Sequence, residues 1–237
     1  MSNVLRWYRI VRIFIKKIIG LEPNISVKKK INLQYHGNLE YGGWAIPSNL
    51  INKKSIIVDV GLGEDISFSQ SIINSYGCIV HGFDPTPKAI AYVKALNPRK
   101  FILHEYGLGG TTREAQFFLP NITTHVSGSI AHADHVGTTE LKIQLLGIED
   151  LFDKIKVNNI SILKIDIEGA EYELLKSKEF VKYASQINII CIEFHHRWRE
   201  FGNIATIEAV EILEKLGFIC VWGSRSSNEE FTFLRCE

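Results

Sequence analysis

Four apolar runs in this chain end in acidic side chains, and two glycines follow the first of them. Ile57-Val58-Asp59-Val60-Gly61-Leu62-Gly63 places Asp59 just before Gly61 and Gly63. The next run ends in Phe83-Asp84-Pro85. Ile160–Ile165 leads into Asp166 and Glu168, and Ile187–Ile192 leads into Glu193, His195 and His196. Paired glycines let a backbone turn sharply and approach a ligand closely. An acid roughly 20 residues after such a turn meets ribose hydroxyls. Asp59, Gly61, Gly63, Asp84 and Pro85 are therefore candidates for an adenosyl cofactor. A tight loop, with Asp84 serving only to cap a helix, is the plain structural alternative.

The later acids carry a different chemistry. A hydroxyl is a poor nucleophile and needs a base or a metal ion to lower its pKa. Adjacent strands would bring Asp166 and Glu193 together, where two carboxylates could hold a divalent cation such as magnesium. His195 or His196 could instead act as base, because imidazole titrates near neutral pH. Asp166, Glu168, Glu193, His195 and His196 are the catalytic candidates, with Asp166 and Glu193 also the metal candidates. Glu168 and Glu171 could equally favour a helix N-terminus electrostatically.

A dinucleotide fits poorly. Counting from Gly61, the sixth position is Ile66 rather than glycine, and Glu64 and Asp65 put negative charge where a pyrophosphate would lie. A sulfonium cofactor tolerates those acids.

These groups need elements to hold them. From residue 55 onward, short β-branched runs alternate with segments of helical spacing. Strands are expected at 55–60, 78–83, 100–105, 115–119, 141–145, 160–166, 187–194, 218–223 and 230–235. Helices are expected at 66–76, 87–96, 148–156, 170–176 and 206–216. Such alternation implies a mostly parallel sheet with helices on both faces. The last two strands follow a helix and predict an antiparallel C-terminal edge. The polar segment Thr123–Ser129, with His132 and His135 beyond it, is longer than most connections and reads as a loop over a cofactor or acceptor. Ser129 is a cofactor candidate there. The H-x-x-H spacing is a weak zinc signal without cysteine partners. Residues 31–54 carry turn signals and the aromatics Tyr35, Tyr41 and Trp44, which could cap a pocket or pack on the sheet.

The chain has 237 residues, enough for one sizeable core and a small appendage, and its net charge of +1 gives no ground to expect a nucleic-acid partner. The charge is unevenly spread. The first thirty residues hold eight basic side chains against Glu22 alone, leaving the remainder acidic by six charges. Residues 3–19 form a basic amphipathic helix by spacing, ended by Gly20 and Pro23. It could dock on the inner face of a membrane or on a protein partner. Packing on the body with its basic face in water is the expectation favoured by base frequency. Residues 1–30 are thus assigned to this helix and a linker, and 31–237 to one catalytic domain. No run is long enough to span a bilayer. Cys78, Cys191, Cys220 and Cys236 form no C-x-x-C pair, a pattern of reducing compartments that points to the cytoplasm.

The stretch Lys164-Ile165-Asp166-Ile167-Glu168-Gly169-Ala170-Glu171 resembles the signature of the FkbM family of methyltransferases. Val58–Gly63 with Asp84, and Ile190–His195, resemble the family's other strand ends, so the likeness runs over about residues 40–235. Leu62-Gly63-Glu64-Asp65 departs from the family's small-residue run at the glycine turn. The resemblance implies a Rossmann-like class I fold with a seven-stranded sheet, S-adenosyl-L-methionine as cofactor, and O-methylation of a sugar hydroxyl in a glycan or glycosylated metabolite. It also implies Tyr106 and Leu108 near the adenine. A chain that keeps the fold as a non-catalytic scaffold, recruited through its basic helix, is the alternative.

Overall fold

The computed structural model describes residues 3–39, 42–120 and 136–236. The chain opens with α1 (Asn3–Ile18) and a hairpin of β1 (Gln34–Gly37) and β2 (Gly43–Ile46). There follow β3 (Ile56–Val60), α2 (Ser67–Tyr76), β4 (Ile79–Phe83), α3 (Pro87–Leu96), β5 (Phe101–His104) and the short β6 (Gly107–Leu108). Next come β7 (Arg113–Pro120), β8 (Val136–Leu146), α4 (Ile148–Ile155) and β9 (Ile160–Ile165). The chain ends with α5 (Glu171–Lys176), α6 (Lys178–Tyr183), β10 (Ile187–Glu193), α7 (Gly202–Lys215), β11 (Phe218–Gly223) and β12 (Glu230–Arg235).

The main sheet has seven strands in the order β11-β12-β10-β9-β3-β4-β5. Its five strands from β10 to β5 are parallel, and β12 runs antiparallel to both β10 and β11. This is the seven-stranded, mostly parallel Rossmann-like sheet that the family resemblance implied. The antiparallel strand is second from the edge, because β12 inserts between β10 and β11 instead of adding outside them. The chain winds outward from β3 to β5 and then returns to β9 on the other side of β3. Ligands bind beyond the carboxyl ends of the strands at such a reversal.

The apolar runs are nearly continuous because both faces are covered. Val58, Leu163 and Ile190 point into a core with Leu151 and Phe152 of α4, Leu174 of α5 and Leu213 of α7. Their neighbours Ile57, Ile162 and Ile189 point the other way, onto Phe68 and Ile72 of α2. Pairs one residue apart thus serve opposite faces, as strand geometry requires.

Two features escape the periodicity. The hairpin β1–β2 lies in the irregular lead-in, and it carries Trp44, fully buried against Phe68. Trp44 therefore packs on the sheet and caps no pocket, while Tyr35 stays exposed; Tyr41 lies outside the described residues. Helix α6 is six residues long, too short for a spacing signal, and is started by Ser177, whose hydroxyl accepts from the Phe180 amide at 3.0 Å.

The N-terminal region follows the favoured expectation in part: Arg6, Arg9 and Arg12 stand in water and the helix touches the body, but much of its apolar side stays uncovered. Among the apolar residues of α1, Ile13 is buried at 4% exposure, whereas Trp7, Phe14 and Ile18 are 68, 63 and 69% exposed. The linker after it is firmly held. The buried Glu22 carboxylate accepts from His196, Arg197 and Asn228, and the Lys28 amide donates to the Cys220 carbonyl at the sheet edge. Among the described residues no helix is long and apolar enough to cross a membrane, and all four cysteines are free.

Candidate active site

The glycine turn begins directly at the end of β3. Gly61 has φ +80°, and a Cβ there would stand 1.6 Å from the Asp166 carbonyl oxygen. Only glycine lets the turn pass this close to the end of β9. The loop is shaped by Asp84 at the end of β4. One carboxylate oxygen accepts from the amides of Leu62 (2.9 Å) and Gly63 (3.1 Å). The other accepts from the amide (2.8 Å) and hydroxyl (2.6 Å) of Thr86, the residue that leads into α3. Asp84 thus shapes the approach to α3 without bonding an amide of the helix itself, and it also lines the cavity.

That cavity lies beyond the ends of β3, β4 and β9. Gly61, Gly63, Asp84, Pro85 and Leu108 line one side. Phe117 of β7 and Ile143 and Leu145 of β8 supply an apolar wall, from a second sheet of order β6-β8-β7. Asp166 and Glu168 close the far end. Tyr106 is not on the lining; its ring packs against the core with the Lys154 ammonium 4.1 Å from its centre. Ser129, His132 and His135 lie outside the described residues.

Asp59 is also not on the lining. It sits in register beside Lys164 on neighbouring parallel strands, so both side chains emerge on the same face. The Lys164 ammonium is 2.9 Å from Asp59 and donates to the Gly61 carbonyl at 2.9 Å, while Ser69 donates to the other Asp59 oxygen at 2.5 Å. Burial opposes the charge on Lys164, but Asp59 and then Asp166 outweigh it and raise its pKa. The expected contact between Asp59 and the cofactor is therefore replaced by an internal ion pair that anchors the glycine turn from behind. Lys164 is the residue that sequence reasoning passed over. A lone lysine inside Ile160–Ile165 must find a buried partner, and Asp59 in the next core strand was the available signal.

The strand ends of β9 and β10 meet at His195. Glu168 adopts φ +52°, a conformation that costs a non-glycine residue energy and that concentrates at functional sites. Glu171 is fully buried, and its carboxylate accepts from the Gly169 amide (2.8 Å), the His195 amide (3.0 Å) and His195 Nδ1 (2.9 Å). His195 Nε2 then lies 3.1 Å from Glu168 and 3.9 Å from Asp166. Burial alone would lower the His195 pKa, but Glu171 and Glu168 raise it well above the usual imidazole value. Burial raises the Asp166 pKa, with Lys164 opposing and Glu168 adding to the rise. Glu193 is raised too, by burial and then by Asp166.

One ligand atom each from Asp166, Glu168 and His195 lies within 4.8 Å of the others, close enough to share an ion. Glu193, paired with Asp166 from sequence, stays outside this group. His196 points away from it. Its Nε2 donates to Glu22 at 2.7 Å, and burial lowers its pKa against the pull of Glu22. Of the two adjacent histidines, only His195 joins the site.

The donor set fits a cationic cofactor. Glu64, Asp65, Asp84, Asp166 and Glu168 all line the cavity, and its lysine, Lys164, is already matched by Asp59. One Asp65 carboxylate oxygen is buried without a hydrogen-bond partner, an acceptor left for a cationic ligand group.

No curated protein matches the chain. Solved structures do. An rRNA methylase from Streptococcus thermophilus is 14% identical over 80% of this chain and 91% of its own, with a TM-score of 0.45. The precorrin-6y C5,15-methyltransferase from Geobacter metallireducens is 13% identical over 78% and 82%, with a TM-score of 0.42. Fibrillarin from Aeropyrum pernix, with natively bound S-adenosyl-L-methionine, is 9% identical over 78% and 66%, with a TM-score of 0.41. The methyltransferase FkbM domain matches residues 58–220, a span that runs from the glycine turn through the acidic cluster to the sheet edge. The chain belongs to the FkbM family and is an S-adenosylmethionine-dependent methyltransferase.

Proposed function

We propose that this methyltransferase acts on oxygen, transferring the methyl group to a hydroxyl of a sugar in a glycan or glycosylated metabolite. The observation that carries this reading is the cluster of Asp166, Glu168 and His195 at the end of the cofactor cavity. When bound, S-adenosylmethionine supplies a methyl group on a sulfonium. The turn at Gly61–Gly63 and the Asp84 carboxylate hold the adenosyl portion, and Asp65 faces its cationic portion.

A sugar presents several hydroxyl donors, and carboxylates are the acceptors that match them. Trp198 beside His195, 5.0 Å between ring centres, offers an aromatic face next to those acceptors. Asp166 takes the hydroxyl proton, because burial raises its affinity for a proton while it lines the cavity. His195 does not serve as the base. Both its ring nitrogens face carboxylates, so it is an imidazolium near neutral pH, and it holds Glu168 in place. Alignment of the acceptor oxygen with the methyl group accounts for much of the rate.

A second reading follows from the same cluster. A divalent cation held by Asp166, Glu168 and His195 Nε2 would lower the hydroxyl pKa instead. It must displace the proton on His195, so its binding strengthens as pH rises.

The test is incubation with S-adenosylmethionine carrying a labelled methyl group and a panel of glycans, nucleosides and amines. Label on a glycan oxygen is the expected result. Label on nitrogen or carbon alone, or on no polyol at all, would overturn the proposal. Parallel runs with magnesium and with EDTA separate the two readings.

A further inference from the structure

The helix α1 keeps its apolar side in water. Trp7, Phe14 and Ile18 follow one another at steps of seven and four residues, so they form one stripe, with Tyr8 and Ile15 beside it. All five are more than half exposed. An uncovered apolar stripe of this size marks an interaction surface. The contact with the body is made elsewhere on the helix, through Ile13.

The charge around the stripe identifies the partner. Residues 3–18 contain Arg6, Arg9, Arg12, Lys16 and Lys17 and no acid. Arg9, Arg12 and Lys16 are three and four apart, a second stripe on the opposite side of the helix from Trp7, Phe14 and Ile18. A second copy of α1 would bring five further cations and no acid to complement them, whereas an anionic surface complements all five. An anionic lipid surface suits a helix with these two faces: acyl chains take the aromatics, and the long basic side chains of the other face reach the headgroups. The acidic balance of residues 31–237 orients the molecule, with α1 towards the surface and the body away from it.

The clamp after the helix links that surface to the site. Glu22 is four residues beyond α1, and its carboxylate accepts from His196, the neighbour of His195. Lys16 of α1 reaches the same carboxylate at 3.5 Å. The end of the helix is thereby fixed beside the carboxyl ends of β9 and β10.

We propose that α1 is a peripheral membrane anchor that lies in the interface of an anionic bilayer and holds the active-site edge at the lipid surface. This assignment does not depend on the acceptor being a sugar.

The experiment is flotation of the full chain with phosphatidylcholine vesicles, with and without phosphatidylglycerol, at low and high salt. Binding to the anionic vesicles, weakened by salt, is expected. Trp7→Phe removes the reporter, so a blue shift of tryptophan emission on vesicle addition should disappear in that variant. Each of Arg6→Gln, Arg9→Gln and Arg12→Gln should weaken partition about fivefold. The double variant Phe14→Ser/Ile18→Ser lies on the water-facing stripe, so its fold, read by circular dichroism, should persist while flotation is lost. Equal flotation of that double variant, or no flotation of the wild type with anionic vesicles, overturns the proposal. A concentration-dependent dimer that the double variant abolishes, in the absence of any vesicle binding, would assign the stripe to a second copy and overturn it too.

Discussion

The two halves of the active site are built on different electrostatic terms. At the β3–β4 end, negative charge is matched internally: Asp84 receives four donors, and Asp59 receives Lys164 and Ser69. At the β9–β10 end, Asp166, Glu168, Glu171 and Glu193 crowd around His195. The first half is a rigid cradle whose carboxylates are held by the chain itself. The second half stores proton affinity, because buried like charges favour uptake of a proton. The matched and the crowded carboxylates are thus separated along one sheet edge, and Lys164, 3.8 Å from Asp166, is the group that touches both.

The largest way to break this arrangement is at the turn where the halves touch. Gly61→Ala forces a Cβ onto the Asp166 carbonyl in a left-handed backbone. The cost should be about 4–6 kcal/mol from overlap and strain together, lowering Tm by more than about 10 °C in a chain of this size. Thermal unfolding checks it; an unchanged Tm would mean the turn is not packed against β9.

Lys164→Met leaves Asp59 buried and unpaired and should cost about 3–5 kcal/mol. Adding Asp59→Asn should recover part of that loss, a coupling that denaturant titration of the double-mutant cycle measures. Additive losses would show that the pair does not hold the cradle.

On the acidic side, Glu171→Gln weakens the hold on His195 and the Gly169 amide. Activity should fall on the order of 10- to 100-fold, as for lost partners of catalytic groups. The pH dependence sharpens the point. His195 has a raised folded pKa, so its contribution to stability is complete below the ordinary imidazole pKa and is lost as pH rises through the raised value. Raised Asp166 and Glu193 act in the same sense at lower pH. Wild-type Tm should therefore decline as pH rises past neutrality, and Glu171→Gln should flatten that decline. A parallel decline in both proteins would show that Glu171 does not set the His195 charge.

The smallest effect separates the neighbouring histidines. His196→Gln should cost about 1 kcal/mol through the Glu22 bond and leave kcat within roughly threefold, since His196 contacts the linker and not the cavity. His195→Gln should remove most of the activity. Glu22, held down to about 2 by His196 and Arg197 against the effect of burial, gives the clamp the opposite pH response: its stabilisation is present above the usual carboxylate pKa and lost in acid. Similar kcat losses for the two histidine variants would undo the assignment.

The sequence by itself determined the α/β alternation, the mostly parallel seven-stranded sheet through its family resemblance, and the cluster of acids and glycines at the strand ends. These follow from short apolar β-branched runs, turn glycines and strand-end acids, which are local patterns. Helix α3 matches its expected bounds of 87–96 because Pro87 starts it and Asn97 closes it in a left-handed cap. The tertiary structure alone decided what each acid does. Asp59 turned inward because Lys164 lies in register across the strand pair, a relation 105 residues apart in sequence that no local pattern carries. The choice between His195 and His196 was likewise made by partners elsewhere in the chain, Glu171 for one and Glu22 for the other. Beyond the end of β10 the two imidazoles leave in different directions, and which one meets the chemistry depends on what the fold brings there.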